Sequence, residues 1–262
     1  MTGRLAACAL LAVAVSACGV TRAATPRPLS SSVTKDAAVR PYVATTRAAR
    51  TQATTPVRRL PARALLRLPA VSQLPELGNG CEVTSLAMLL TAAHHPVDKL
   101  SLAAAMPRDP TPPSFDGAGR GFTDVTRWGD PEAGFVGNVH GTLGYAIHHV
   151  ALARFLDSVI PGRSSDLTGA PVATLLRRVA SGTPVLMWTT ATFTPTQNWV
   201  VWQSPHGPVR ATSDEHAVLL VGYDRRHLYV NDPLTGTAAR AVDRDSFLAA
   251  WTQLGRQALS YD

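Results

Sequence analysis

The order of helix and strand patterns along this sequence predicts an α+β fold, with N-terminal helices packed on a C-terminal antiparallel sheet. Apolar residues at helical spacing and residues typical of helix ends occur between residues 79 and 182. Short apolar runs with turn residues between them follow from residue 185 to residue 231. Because these runs are joined by short connections, we expect neighbouring strands to pair antiparallel.

Three helices are predicted ahead of the strands. Asn79 is expected to be the N-cap of the first, with Glu82 three residues later as in a capping box. The second is expected over residues 145–159, where the apolar spacing is again helical. The third is expected between Pro171, in its first turn, and Gly182, just past its end.

The C-terminal part is predicted to hold the sheet and a closing helix. Strands are expected at residues 185–190, 199–203, 216–223 and 228–231. The Asp-Arg-Arg sequence at 224–226 predicts the turn between the last two strands. A short helix is expected over residues 244–251.

The front of the chain has the pattern of an export signal. Arg4 is followed by an apolar run that is too short to span a bilayer, and the run ends in small residues. Val-Ser-Ala-Cys at 15–18 resembles a bacterial lipobox, in which the Cys becomes the lipidated first residue of the mature protein. We therefore expect a lipoprotein on Cys18, anchored at the outer face of the cytoplasmic membrane, with plain secretion as the alternative.

Composition divides the chain into three parts. Residues 1–17 form the expected signal peptide, residues 18–64 a disordered basic tether rich in Ala, Thr, Pro and Arg, and residues 65–262 the folded domain. The net charge of +7 comes from the front, because residues 1–68 hold eleven Lys and Arg against one Asp. The remaining residues hold fourteen basic against seventeen acidic side chains, so no nucleic-acid partner is expected.

Cysteine usage points to a thiol nucleophile. Signal cleavage and lipidation would leave Cys81 as the one free thiol, in the first turn of a predicted helix. The helix dipole and unpaired N–H groups at that end favour thiolate, so we expect the pKa of Cys81 to be lowered. His216 on a late strand can serve as the base, and either Asn231 or Asp232 at the end of the next strand can orient its ring. Cys, His and Asp or Asn in this order is the papain-like order of parts.

Five blocks in order resemble the secreted peptidase C-thirty-nine-like family, papain-like relatives of the bacteriocin-processing double-glycine peptidases. The resemblance covers about residues 68–262, and the blocks lie at 72–90, 134–137, 182–188, 216–224 and 229–233. It implies the papain-like cysteine peptidase fold, Cys81 as nucleophile, His216 as general base and acid, Asp232 as orienter and Gln73 as a side-chain donor to the oxyanion. The Gln-to-Cys and Cys-to-His spacings exceed those of the bacteriocin processors, so cleavage after a double glycine is not part of the expectation.

The sequence therefore predicts an exported cysteine peptidase-like hydrolase that cleaves an amide bond in a peptide or protein. Two alternatives remain: a cell-wall peptide amidase with the same triad, and a catalytically silent envelope binding module that keeps the fold. No cofactor is expected, because no phosphate-binding Gly-rich loop is present. No metal is expected either, because the adjacent histidines at 94–95 and 148–149 do not have ligand spacing.

Overall fold

A computed structural model describes residues 59–262. The expected signal peptide, Cys18 and most of the tether lie outside the described residues. Within residues 59–262, no helix is both long and apolar enough to cross a membrane.

Five α-helices occur in the described part of the chain. They are α1 (Cys81–Ala92), α2 (Lys99–Ala105), α3 (His149–Val159), α4 (Val172–Ala180) and α5 (Arg244–Gln253). Helix α1 is buried along its first ten residues, as expected of a helix that is apolar on nearly all sides and lies inside the core. The predicted second helix begins later than expected, at His149, because Tyr145 and Ala146 form backbone hydrogen bonds with Val136 instead.

The strands of the described residues form three sheets. They are β1 (Ala64–Leu65), β2 (Arg108–Asp109), β3 (Ser114–Phe115), β4 (Val125–Arg127), β5 (Phe135–Val136), β6 (Ser164–Asp166), β7 (Val185–Thr190), β8 (Val200–Ser204), β9 (Gly207–Ala211), β10 (Glu215–Tyr223), β11 (His227–Asp232), β12 (Thr237–Asp243) and β13 (Ala258–Tyr261). The main sheet is antiparallel, with order β12-β11-β10-β7-β13-β6 and with β1 paired to β10. A four-stranded sheet has order β3-β4-β8-β9, and β2 pairs parallel with β5.

The main sheet carries apolar side chains on both faces. On one face α1 packs against β10, and Ser85 Oγ donates to the carbonyl oxygen of Ala217 over 3.1 Å. On the other face, residues of α4 and α5 form a second apolar cluster with β7, β10 and β11. Strand β10 is therefore buried from both sides, which places His216 at the start of a rigid central strand with Cys81 at the start of the helix that covers it.

Candidate active site

One pocket of about 340 Å³ brings together three of the residues predicted from the sequence. Gln73, Cys81 and His216 all line it, and the fourth, Asp232, is hydrogen-bonded to His216. A larger pocket of about 450 Å³ lies between α4 and residues 59–61, and no Cys or His is among its described lining residues. The smaller pocket is therefore the candidate active site.

Cys81 is the first residue of α1, but the predicted cap of that helix is wrong. The N-cap is Gly80, where an added Cβ would lie 2.5 Å from Cβ of Leu77. The Asn79 side chain does not cap the helix and instead donates to the carbonyl oxygens of Asn138 (2.8 Å) and Gly141 (2.6 Å). Asn79 therefore connects the start of α1 to the loop that leads into the pocket-lining residues 142–145.

Glu82 does not form the predicted capping box either. Its side chain is fully buried, and Oε1 accepts a 2.9 Å hydrogen bond from the backbone N–H of Ile147. The other oxygen, Oε2, lies 3.3 Å from Sγ of Cys81, which donates to it. Glu82 therefore turns inward, toward the candidate nucleophile and away from the helix end.

His216 and Asp232 lie at neighbouring strand ends in direct contact. Nε2 of His216 is 2.8 Å from Oδ1 of Asp232, and both side chains are almost completely buried. This pairing leaves Nδ1 as the ring nitrogen able to face a substrate. The side chain of Asn231 points elsewhere, donating to the carbonyl oxygens of Leu68 and Pro69 over 3.1 Å. Of the two possible orienters, Asp232 is the one beside the ring.

Asp232 is held by further polar groups. Arg240 Nη1 lies 2.7 Å from Oδ2, Thr235 Oγ1 donates to Oδ2 over 3.0 Å, and the Leu234 N–H donates to Oδ1 over 3.0 Å. Burial acts to raise the pKa of Asp232, but the hydrogen bond and charge of His216, followed by the bonds from Arg240 and Thr235, hold that pKa well below its usual range. Asp232 is therefore an anion at every ordinary pH.

Gln73 is 3% exposed and lies in the pocket wall. Its Nε2 donates to the carbonyl oxygens of Leu77 and Gly78, each over 3.1 Å, and its Oε1 is buried without a partner. The Gln73 N–H donates to the carbonyl oxygen of Pro233, which follows Asp232. Both hydrogens on Nε2 of Gln73 are therefore bonded to carbonyl oxygens. Gln73 can donate to an oxyanion only if one of these two bonds breaks.

Sequence reasoning missed Glu215. This residue begins β10, lines the pocket, and places Oε2 4.0 Å from Sγ of Cys81. Its other oxygen, Oε1, is shielded from solvent and has no hydrogen-bond partner. The available signal was its position immediately before His216, since neighbours at a strand end lie at the same edge of the sheet.

The electrostatics of Cys81 differ from the sequence expectation. Burial, then the charges of Glu82 and Glu215, raise the pKa of the Cys81 thiol well above its usual value. Burial raises the pKa of Glu82 to about 7, although its backbone hydrogen bonds oppose this. Burial, followed by the charge of Glu82, raises the pKa of Glu215 well above its usual value. The prediction of a lowered thiol pKa is therefore wrong for the resting site, because burial and then the two neighbouring acids raise it.

The same three side chains are the candidate cation ligands. Within residues 59–262, one group of three His, Cys, Asp or Glu side chains has its ligand atoms within 4.8 Å of one another, namely Cys81, Glu82 and Glu215. A cation here would occupy the lone pairs of Sγ, so it would block a thiol nucleophile rather than assist it.

The chain is similar in sequence and in fold to known proteins. The model of the Peptidase_C39 like family matches residues 65–259. The uncharacterized protein YvpB of Bacillus subtilis (strain 168) is 38% identical over 185 residues, which are 71% of this chain and 70% of that protein. A crystal structure from Bacillus anthracis, described as a candidate C39-like peptidase, matches with a TM-score of 0.68 and 37% identity, covering 76% of this chain and 97% of that one. The predicted α+β papain-like fold is confirmed.

Proposed function

Because the chain belongs to the Peptidase_C39 like family, we propose that its peptidase-like function is that of an exported cysteine peptidase acting through Cys81, His216 and Asp232. The observation that carries this proposal is the one pocket that both Cys81 and His216 line, with Oδ1 of Asp232 2.8 Å from Nε2 of the ring. A thiol at a helix start, an imidazole and a buried carboxylate are the parts that thiol-based amide hydrolysis requires.

The proposed reaction begins when the Cys81 thiol gives its proton to Nδ1 of His216 and Sγ attacks the substrate carbonyl carbon. Asp232 stabilises the imidazolium through Nε2. The negative charge on the carbonyl oxygen is received by first-turn N–H groups of α1 and by Gln73, once an Nε2 bond to a carbonyl oxygen is exchanged. His216 then protonates the leaving amine, and water hydrolyses the thioester to regenerate the thiol.

This reaction requires Sγ to leave its resting partner. In the resting site Sγ donates to Glu82 and not to His216, so the thiol must rotate before proton transfer. That contact also favours a second candidate function, a catalytically silent binding module in which the thiol stays paired with Glu82. The two candidates differ in whether the chain hydrolyses any amide.

The test compares the wild-type chain with Cys81→Ala and Cys81→Ser on a mixture of natural peptides, with mass spectrometry of the new termini. We expect new termini from the wild type alone, because losing a nucleophile costs several orders of magnitude in rate. Identical termini from wild type and Cys81→Ala would contradict the mechanism. Release of wall peptides alone from a second sample of purified cell wall would support the amidase, and no cleavage in either sample would support the binding module.

Export and lipid anchoring on Cys18 are part of the same proposal. They rest on the small residues before Cys18 and lie outside the described residues. We expect Cys18→Ser to move the protein from the membrane fraction to the soluble fraction, while thermal unfolding of the domain is unchanged. Equal membrane recovery of the two proteins would exclude the anchor.

A further inference from the structure

Glu215 is a carboxyl group in the pocket wall for which the proposed mechanism has no use. Its Oε1 is shielded from solvent and has no partner, whereas most buried side-chain oxygens in folded proteins have one. Its Oε2 lies 4.0 Å from Sγ of Cys81, so whatever contacts this carboxyl lies next to the reacting carbonyl. The group is placed to contact the substrate.

The pocket also lacks a cation. None of the described residues that line it is Lys or Arg. Arg240, the guanidinium beside the catalytic residues, is already paired with Asp232 over 2.7 Å and lies over the Phe193 ring. Two carboxyls, the buried Glu82 and the half-buried Glu215, therefore have oxygens within 4.8 Å of each other and no Lys or Arg partner among the described residues, an arrangement that is costly unless a cation or a proton compensates it.

Both observations are satisfied by one kind of ligand. A neutral N–H donor would fill the empty hydrogen-bonding site of Glu215 but leave its charge uncompensated. A primary ammonium group supplies the hydrogen bond and the charge together. Glu82 cannot serve in the same way, because its oxygens already accept from Ile147 N–H and from Cys81 and it does not line the pocket.

We infer that Glu215 is a specificity-determining residue that binds a primary ammonium group of the substrate within about one residue of the scissile bond. This inference rests on the proposed function, since it assigns a substrate class to the same pocket. Peptides with a lysine-like side chain or a free α-amine beside the cleaved amide belong to this class. Binding the ammonium releases the proton that Glu82 and Glu215 retain in its absence, because the new positive charge lowers their pKa values.

The test labels the thiol with reagents that differ in charge. In the full chain carrying Cys8→Ser and Cys18→Ser, Cys81 is the one remaining thiol. The thiol is labelled with 2-aminoethyl methanethiosulfonate, a cation, and with 2-sulfonatoethyl methanethiosulfonate, an anion. The rate with the cation is divided by the rate with the anion. This ratio in the folded chain, divided by the same ratio in the urea-unfolded chain, is the quotient that is compared. We expect a quotient of at least about tenfold in the folded protein, because charges this close interact strongly at a partly buried site.

Two variants show whether the preference for the cationic reagent comes from contact with Glu215 or from the negative potential of the whole site. We expect Glu215→Gln to bring the quotient to within about threefold of unity, whereas Glu82→Gln, the matched removal of a carboxyl outside the pocket lining, keeps most of it. A wild-type quotient near unity overturns the inference without any variant. Equal losses in Glu215→Gln and Glu82→Gln also overturn it, because the preference would then not belong to Glu215.

Chloromethyl ketones identify which ammonium is bound. N-acetyl-lysine chloromethyl ketone carries a side-chain ammonium, norleucine chloromethyl ketone a free α-amine, and N-acetyl-norleucine chloromethyl ketone neither. Faster alkylation by the first or the second, lost in Glu215→Gln, supports the inference and names the source. Equal rates for all three overturn it. These readouts need a reactive thiol and not peptide turnover, so failure of the ammonium site is distinguishable from failure of the proposed peptidase.

Discussion

Asp232 on one side of the site and the Glu82–Glu215 pair on the other are carboxyl groups that each lie beside one of the two candidate reacting side chains, yet their pKa values move in opposite directions. Burial acts to raise the pKa in all three. At Asp232 this is outweighed by His216, Arg240 and Thr235. At Glu82 and Glu215 each acid instead faces another acid and the thiol of Cys81. The cationic and hydrogen-bonding neighbours therefore overcome the effect of burial at Asp232 alone.

The difference divides the pocket into two chemically distinct sides. On the base side, a permanent anion holds the imidazole and will stabilise it once protonated. On the nucleophile side, two acids and a thiol, all with raised pKa values, have no Lys or Arg partner among the described pocket residues. The resting site therefore stabilises an imidazolium at His216 but does not stabilise a thiolate at Cys81. In the proposed reaction, the positive charge missing beside Cys81 comes with the bound substrate.

The largest effect should come from removing the permanent anion. We expect Asp232→Asn to lower kcat/KM by up to about 10⁴-fold, because a neutral amide neither stabilises the imidazolium nor selects the ring tautomer that presents Nδ1 to the thiol. Steady-state cleavage of the first identified peptide measures this. The matched control is Asp224→Asn, which removes a carboxylate of lowered pKa outside the pocket lining and should leave kcat/KM within about threefold. Comparable losses in both variants would mean that the effect comes from stability.

The raised pKa of Glu82, on the nucleophile side, should make the free energy of unfolding depend on pH. The pKa of Glu82 is raised from 4.5 to about 7, so between these values the folded chain binds more protons than the unfolded chain. The free energy of unfolding therefore falls as the pH rises through this window, by about 3 kcal/mol from this group. Glu82→Gln, which keeps an oxygen for the Ile147 N–H, should remove that fall; urea unfolding at pH 4.5 and pH 8 measures it.

The control for this experiment is Asp98→Asn at the N-cap of α2. Hydrogen bonds from the Ser101 side chain and from the backbone N–H groups of Ser101 and Leu100 lower the pKa of Asp98, so its contribution is constant above about pH 4.5 and the variant should keep the wild-type slope. The histidine–carboxylate pairs are common to wild type and Glu82→Gln, so the difference between their slopes reports on Glu82 and on the part of the raised pKa of Glu215 that is due to Glu82. Equal slopes would show that Glu82 is not a buried acid of raised pKa.

The sequence predicted the central elements well and the peripheral ones poorly. The expected strand 185–190 is β7, every residue of which is buried, so its apolar run carries the signal directly. Strand β12 was missed because it lies at the edge of the sheet with mostly exposed, small and charged residues. The four-stranded sheet was also largely missed, because β3 and β4 have only two and three residues and lack a visible alternation.

The site divides in the same way. Residue type and order were enough to select Cys81 and His216, which line one pocket, and the family resemblance favoured Asp232 over Asn231 as the partner of the His216 ring. The direction of the thiol pKa was not predictable, because it depends on contacts between residues far apart in the chain. Glu82 meets the N–H of Ile147 and Cys81 meets Glu215, separations of 65 and 134 residues. A local pattern at the helix start indicated a cap where the folded chain has a buried acid.

The smallest expected effect tests whether the base side depends on Arg240. Its side chain is 40% exposed, and Nη1 lies 2.7 Å from Oδ2 of Asp232 with the guanidinium 4.8 Å from the Phe193 ring centre. We expect Arg240→Met to lower kcat/KM about tenfold at pH 7, because Asp232 keeps its bonds to His216 and Thr235 but loses one charged partner. The loss should be similar at pH 5 and pH 7, because His216 and Thr235 still hold the pKa of Asp232 well below this window. Arg240→Lys restores a cation beside Asp232 and should recover part of the activity, which steady-state kcat/KM of the three proteins measures. Equal activity of Arg240→Lys and Arg240→Met would reduce Arg240 to a packing residue and leave His216 as the main source of the charge on Asp232.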